Sequence, residues 1–136
     1  MVAHVVRVAD GDTIVVEAED GQEHRIRLYG LDAPEKNQAY GTEATQYLAS
    51  HLEGQTILLK TIDHDRYGRL VSLIYLIEKE PLNRKLISSG AAWLYTAYCH
   101  IPDCEEWLED EAKARQNGIG LWHYHDPTPP WEYRHR

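Results

Sequence analysis

Two stretches crowded with β-branched and other apolar residues, 2–8 and 13–18, predict two strands, and Asp10-Gly11-Asp12-Thr13 turns the chain between them. Asp20-Gly21 is a hairpin signal that leads into a third strand over residues 23–29. There Ile26 and Leu28 alternate with Arg25, Arg27 and Tyr29, so one face is apolar and the other polar. The period then changes. Ala44, Tyr47, Leu48 and Leu52 recur at helical spacing, which predicts a helix from Gly41 or Thr42 to about Leu52, with Thr42 as N-cap and Gly54 as stop. Strands over residues 56–62 and 70–77 flank the polar loop Asp63-His64-Asp65-Arg66-Tyr67-Gly68-Arg69. A short helix over 81–89 ends at Gly90, and residues 91–95 are a brief extended piece. A third helix opens at Pro102-Asp103 and closes at Asn117-Gly118, with Trp107, Leu108, Glu111 and Ala112 on adjoining turns. The acidic run Glu105, Glu106, Glu109, Asp110 and Glu111 reads as the solvated face of that helix. Asp126-Pro127-Thr128-Pro129-Pro130 argues against regular structure, and residues 125–136 are expected to be a Pro-rich tail, ordered at first and then frayed.

Five strands, the first three in a meander, with three helices predict an α+β, mainly β domain over residues 1–124, best matched by a five-stranded OB-type barrel. A chain of 136 residues with 43% hydrophobic content suits one domain with one core. A formal net charge of -8 argues against a broad basic surface for holding nucleic acid. Any polyanion must be held by a few local cations or by a metal. No run of eighteen apolar residues is present, so no membrane span is expected. Met1 leads straight into strand-like sequence, which is consistent with a cytoplasmic protein or, after removal of a leader, a secreted or periplasmic one. Cys99 and Cys104 are close enough to bridge a loop, and a disulfide and two free thiols both remain open. Zinc is disfavoured, because Cys-x4-Cys has no second ligand pair at usable spacing.

The chemistry-bearing residues concentrate at the end of the third strand, in Arg27-Leu28-Tyr29-Gly30-Leu31-Asp32-Ala33-Pro34-Glu35. Gly30 can release the chain from strand geometry, and Pro34 keeps Ala33 extended, so that Asp32 and Glu35 sit on a stiff turn. Phosphodiester hydrolysis needs a cation for the nonbridging oxygens, a base for water and donors that follow the developing charge. Asp12 and Asp32 supply hard oxygen ligands suited to Ca2+, and the Ala33 carbonyl, waters and a substrate oxygen can complete the shell. Glu35 is placed to deprotonate water, and Arg27 and Arg69 offer planar forks to phosphate. Tyr67 can donate a hydrogen bond or stack on a base. Each has a plainer reading. Asp10 and Asp12 suit a turn, Arg69 a surface charge, Tyr67 packing at the barrel end, and Trp93, Trp107 and Trp122 the core. Coincidence favours the functional reading, since three separate segments bring the right residue types to one end of the barrel.

Asp10-Gly11-Asp12-Thr13, Arg27 through Glu35, Asp65-Arg66-Tyr67-Gly68-Arg69 and Gly118-Ile119-Gly120-Leu121-Trp122, in that order, resemble the staphylococcal nuclease family over residues 2–122. The resemblance implies an OB barrel with three helices and calcium-dependent endonucleolysis of DNA and RNA that leaves 3′-phosphates. It implies Asp12, Asp32 and the Ala33 carbonyl as calcium ligands, Glu35 as general base, Arg27 and Arg69 as the phosphate-binding pair and Tyr67 as a nucleotide contact. Many members have threonine where this chain has Ala33, but a main-chain ligand tolerates alanine. A monomer acting on nucleic acid, with single strands preferred, is expected. Two departures stand out: the chain is acidic where the family's best-known member is basic, and the second nucleotide-contacting tyrosine is either Tyr95 or Tyr98. The competing expectations are a catalytically dead barrel that only binds nucleic acid or protein, and a calcium-sensing or structural domain. The first is disfavoured because all five side chains, Asp12, Arg27, Asp32, Glu35 and Arg69, are present. The second would leave the two arginines without work.

Overall fold

The alternating stretches of the first half close on themselves. In the computed structural model, which describes residues 1–76 and 79–135, β1 (Val2–Asp10), β2 (Thr13–Ala18) and β3 (Glu23–Leu28) form an antiparallel meander. Then come β4 (Leu31–Asp32), α1 (Gly41–Leu52), β5 (Thr56–His64) and β6 (Leu70–Tyr75). β1, β2, β3, β6 and β5 make a closed barrel, antiparallel except where β3 runs parallel to β6. This is the five-stranded OB-type barrel expected. Val5, Ile14, Val16, Ile26, Leu28, Ile57, Leu59 and Leu73 are buried along its walls. Outside it, β4 pairs with β7 (Trp93–Leu94).

α1 packs Ala44, Leu48 and Leu52 into the core, the face predicted from their spacing. Its start differs from expectation. The cap is Tyr40, in a left-handed conformation at φ 68° and without a side-chain cap bond, while Thr42 lies inside the helix. The reason is crowding: a Cβ on Gly41 would fall on the carbonyl of Glu35, so only glycine lets the helix begin there. Strand ends also shift. β1 and β5 run two residues further than expected, β3 stops at Leu28 and β6 at Tyr75. Ile77, assigned to the last strand, lies outside the described residues.

α2 (Leu82–Ser88) and α3 (Asp103–Gln116) pack together beside the barrel. The buried face of α3 is Trp107, Glu111 and Ala114; Leu108 and Ala112 are exposed. Glu111 therefore leaves the solvated face assigned to it. Its carboxylate accepts the Leu94 N–H at 2.6 Å and pairs with Arg115, which satisfies a backbone donor of the edge strand β7. Cys99 and Cys104 form a disulfide at the approach to α3. No described helix is long and apolar enough to cross a membrane.

The C-terminal segment corrects the expectation of a frayed tail. Pro130 is buried and opens a one-turn helix, α4 (Pro130–Tyr133), and Trp131 stacks on Tyr95 with ring centroids 4.8 Å apart. Proline blocks a helix interior but suits the first helical position, where its missing N–H costs nothing.

Asn83 of α2 is fully buried and ties the backbone of β6 to the residue that follows β3. Its Oδ1 accepts the Ile74 N–H at 3.0 Å, and its Nδ2 donates to the carbonyls of Tyr29 and Ser72 at 3.0 and 3.1 Å. It thus fixes the end of β3 against β6. Asn83→Ala is expected to lower stability by about 2–4 kcal/mol, since one orphaned buried polar group alone costs about 1–3 kcal/mol. Urea unfolding measures it, and a loss under about 1 kcal/mol would show that the bridge carries little.

Candidate active site

Register puts the first two charges side by side. Thr13 pairs with Arg27 across β2 and β3, and the Leu28 N–H donates to the Asp12 carbonyl, so Asp12 stands next to Arg27 at the barrel rim. β4 brings Asp32 to the same point, with Asp32 opposite Trp93 of β7. The Arg27 guanidinium spans both acids, Nη1 at 2.5 Å from Asp12 Oδ2 and Nη2 at 3.3 Å from Asp32 Oδ1. Asp12 Oδ2 also accepts the Ala33 N–H at 2.9 Å, and Oδ1 accepts the Thr13 hydroxyl at 3.1 Å. Asp32 was expected on a turn; it lies instead in the two-residue strand β4 and is fully buried.

Electrostatics follow from this packing. Burial alone would raise the Asp12 carboxyl, but the Arg27 charge and the hydrogen bonds from Ala33 and Asp10 outweigh it and hold it at about 2. Asp10 takes the opposite course: burial, then the adjacent Asp12 charge, push it up to about 7. Burial also pushes Asp32 upward, against the pull of the Arg134 and Arg27 guanidiniums.

Glu35 follows on a loop closed by its own neighbour. The Glu35 N–H donates to Gln38 Oε1 at 3.0 Å, and the Gln38 N–H returns to the Glu35 carbonyl at 2.9 Å. Gln38 Nε2 donates in turn to the Thr128 carbonyl at 2.6 Å, which ties this loop to the C-terminal segment. Arg134, from the segment expected to fray, reaches both acids. Its Nη1 lies 2.9 Å from Asp32 Oδ1 and 2.8 Å from Glu35 Oε1, and its Nη2 lies 2.8 Å from Asp32 Oδ2.

Arg69 and Tyr67 stand on the neighbouring loop between β5 and β6. Leu70 pairs with Ile26, so Arg69 enters the wall beside the strand that carries Arg27. Among the described residues, its ion pair is to Asp65, Nε to Oδ2 at 2.6 Å, and its guanidinium carbon is 5.4 Å from the Tyr67 ring centroid. Asp65 Oδ1 also accepts the N–H groups of Tyr67 and Arg69, which shapes the loop. Tyr67 is exposed, and its hydroxyl accepts from Arg66. The structure therefore joins Asp12, Arg27, Asp32 and Ala33 directly, links Glu35 to Asp32 through Arg134, and sets Arg69 and Tyr67 on the adjacent loop. Sequence reasoning missed Gln38 and Arg134. A Trp131-x-Tyr133-Arg134 cluster just after Pro129-Pro130 was the available signal.

The carboxylate oxygens of Asp12 and Asp32 are donors of the kind a hard divalent cation would take. One cationic nitrogen, Nη1 of Arg134, stands between Asp32 and Glu35 within 2.9 Å of each. Among the described residues no three His, Cys, Asp or Glu side chains form a chelating cluster. Water and substrate oxygens would have to complete a shell.

The family profile described as "Staphylococcal nuclease homologue" matches residues 25–124, and the chain belongs to the staphylococcal nuclease family. It is 42% identical over 132 residues, 97% of this chain and 84% of the relative, to an "Uncharacterized endonuclease" of Escherichia coli O157:H7. It is 36% identical over 138 residues, 96% and 78% of the two chains, to a "Micrococcal nuclease" of Shigella flexneri. An "Uncharacterized endonuclease" of Haemophilus influenzae is 32% identical over 130 residues, 96% and 71% of the two chains.

Gly41 is where the Glu35 loop and α1 meet without room for a methyl group. Gly41→Ala is expected to cost about 1–3 kcal/mol of stability through overpacking, read by urea unfolding, and to displace the Glu35 loop. An unchanged unfolding midpoint would show that the loop yields freely and is not fixed by this contact.

Proposed function

We propose that the protein is a calcium-dependent endonuclease that hydrolyses phosphodiester bonds of DNA and RNA with little sequence specificity and leaves 3′-phosphates. The meeting of Asp12, Arg27, Asp32 and Glu35 at one rim of the barrel carries this reading. Membership of the staphylococcal nuclease family supports it.

In this reading Asp12, Asp32 and the Ala33 carbonyl would hold calcium, which would supply positive charge to the nonbridging oxygens of the scissile phosphate. Glu35 takes a proton from water, the resulting nucleophile attacks phosphorus as the bond to the 5′-oxygen breaks, and that oxygen leaves as a hydroxyl after taking a proton from solvent water. Arg27 has five N–H donors, more than its contacts to Asp12 and Asp32 use, and the remainder face charge that builds on the phosphoryl oxygens. Arg69 pairs with Asp65 through Nε, which leaves its Nη edge for a phosphate oxygen. Tyr67, exposed beside it, contacts the nucleotide. Of the two candidates for the second tyrosine, Tyr95 is half-buried under Trp131 and Tyr98 is exposed at its edge. In this reading a single strand is the preferred substrate, and the protein acts as a monomer.

The test is cleavage of single-stranded DNA with calcium, with EDTA as control and end-group analysis of the products. Glu35→Gln is expected to lose about 100- to 10,000-fold in rate, the range of a general base, while its unfolding midpoint stays close to the parent's. A variant as fast as the parent would remove Glu35 from the mechanism, and 5′-phosphate products would contradict the bond assignment.

A further inference from the structure

The C-terminal segment has no part in the proposed reaction, yet it makes the densest set of contacts to the acids. Besides the edge-on contact of Trp131 with Trp93, four attachments bear on the site. Gln38 donates to the Thr128 carbonyl, Tyr133 donates its hydroxyl to the Asn37 carbonyl at 3.2 Å, and Trp131 stacks on Tyr95 at an interplanar angle of 9°. The fourth is Arg134 itself, forked onto Asp32 and bonded to Glu35. The first two fix the base of the arm on the very loop that bears Glu35, and the third fixes it on Tyr95, just beyond β7. The fourth is different in kind, because a long side chain that is 37% exposed reaches back from the arm's end to a carboxylate that is completely buried.

Both oxygens of Asp32 are taken by this fork, with Arg27 sharing one of them. A guanidinium bonded to both oxygens is the natural partner of a carboxylate, and it takes the oxygens through which Asp32 would hold a divalent ion. A second cation of double charge cannot share the position, since like charges a few ångströms apart repel strongly in so little water. One must leave. Arg134 can, because its exposed stem can swing into solvent while Trp131 and Tyr133 keep the arm docked.

We propose that Arg134 is a tethered competitor of the catalytic divalent cation: its guanidinium closes Asp32 and Glu35 when the ion is scarce and is displaced when the ion binds. The proposal rests on the calcium reading above and adds a regulation of the same site. The occupied state keeps two acids neutralised and the base Glu35 engaged, so the metal-free protein is held inactive. Apparent affinity for the ion is reduced by the fraction of time the arm is open.

Calcium titration calorimetry on the full chain tests it, comparing the parent with Arg134→Ala and Trp131→Ala. Arg134→Ala is expected to bind calcium about tenfold more tightly, the factor for an arm closed about nine-tenths of the time. Trp131→Ala touches neither acid and loosens the arm from Tyr95, so a smaller tightening is expected. Side-chain NMR of the Arg134 guanidinium gives a second readout: in the parent, saturating calcium moves its signals to the positions of a free arginine. Equal affinities in the parent and Arg134→Ala, or guanidinium signals that calcium leaves unchanged while it binds, would overturn the competition alone. Absence of calcium binding in both parent and variant would overturn the calcium reading and the competition with it.

Discussion

Arg27 holds the site together. Asp12 and Asp32 converge from different strands, and two carboxylates this close in a dry rim repel by several kcal/mol at the effective dielectric of a protein, about 4 kcal/mol for unit charges about 4 Å apart. One guanidinium with a nitrogen on each acid turns that repulsion into two attractions. The arrangement is only available because the barrel presents Arg27 at the end of β3, across from Thr13, with β4 returning immediately after Gly30. Gly30 sits at φ 77°, and a Cβ there would press on Cys99 Sγ and on the ring of Trp107. The turn that delivers Asp32 is therefore paid for by a glycine wedged against the disulfide and α3. Fold and site share these residues.

The same economy runs outward. Asn83 secures the carbonyl of Tyr29, one residue before that glycine, and the Tyr29 hydroxyl accepts the His100 N–H beyond the bridged Cys99. Glu111 holds Leu94, whose strand partner is Leu31, the neighbour of Asp32. Buried polar side chains thus clamp the backbone on both sides of the acids, so their spacing is set by the packed scaffold and not by flexible loops. Glu35 is the exception. It rides on a loop held by Gln38 and by the C-terminal segment, which makes its position the most adjustable of the group.

Much of this was legible in the residue pattern. The meander, the hairpin at Asp20-Gly21, the apolar face of α1 and the approach of Asp12 to Arg27 follow from local alternation and turn chemistry, which act over a few residues. What failed was tertiary in origin. Asp32 looks like a turn residue because a two-residue strand leaves no periodic trace, and its partner Trp93 is far along the chain. Glu111 looks solvent-facing among four other acids, and only the orphan N–H of Leu94 draws it inward. Thr42 is a good cap by type but is overruled by the fit of Gly41 against Glu35. The C-terminal prolines read as breakers, although Pro130 serves as a helix start once Trp131 has Tyr95 to stack on. In the same way the bridge between Cys99 and Cys104, left open by spacing, is decided by the fold.

A double-mutant cycle on stability between Arg27→Gln and Asp32→Asn tests the shared clamp most directly. If one guanidinium binds the acids into a unit, the two losses will be strongly non-additive, with a coupling of at least about 1 kcal/mol. Losses that sum to within about 0.5 kcal/mol would mean that the two side chains act independently, and the account of a site assembled around Arg27 would be wrong.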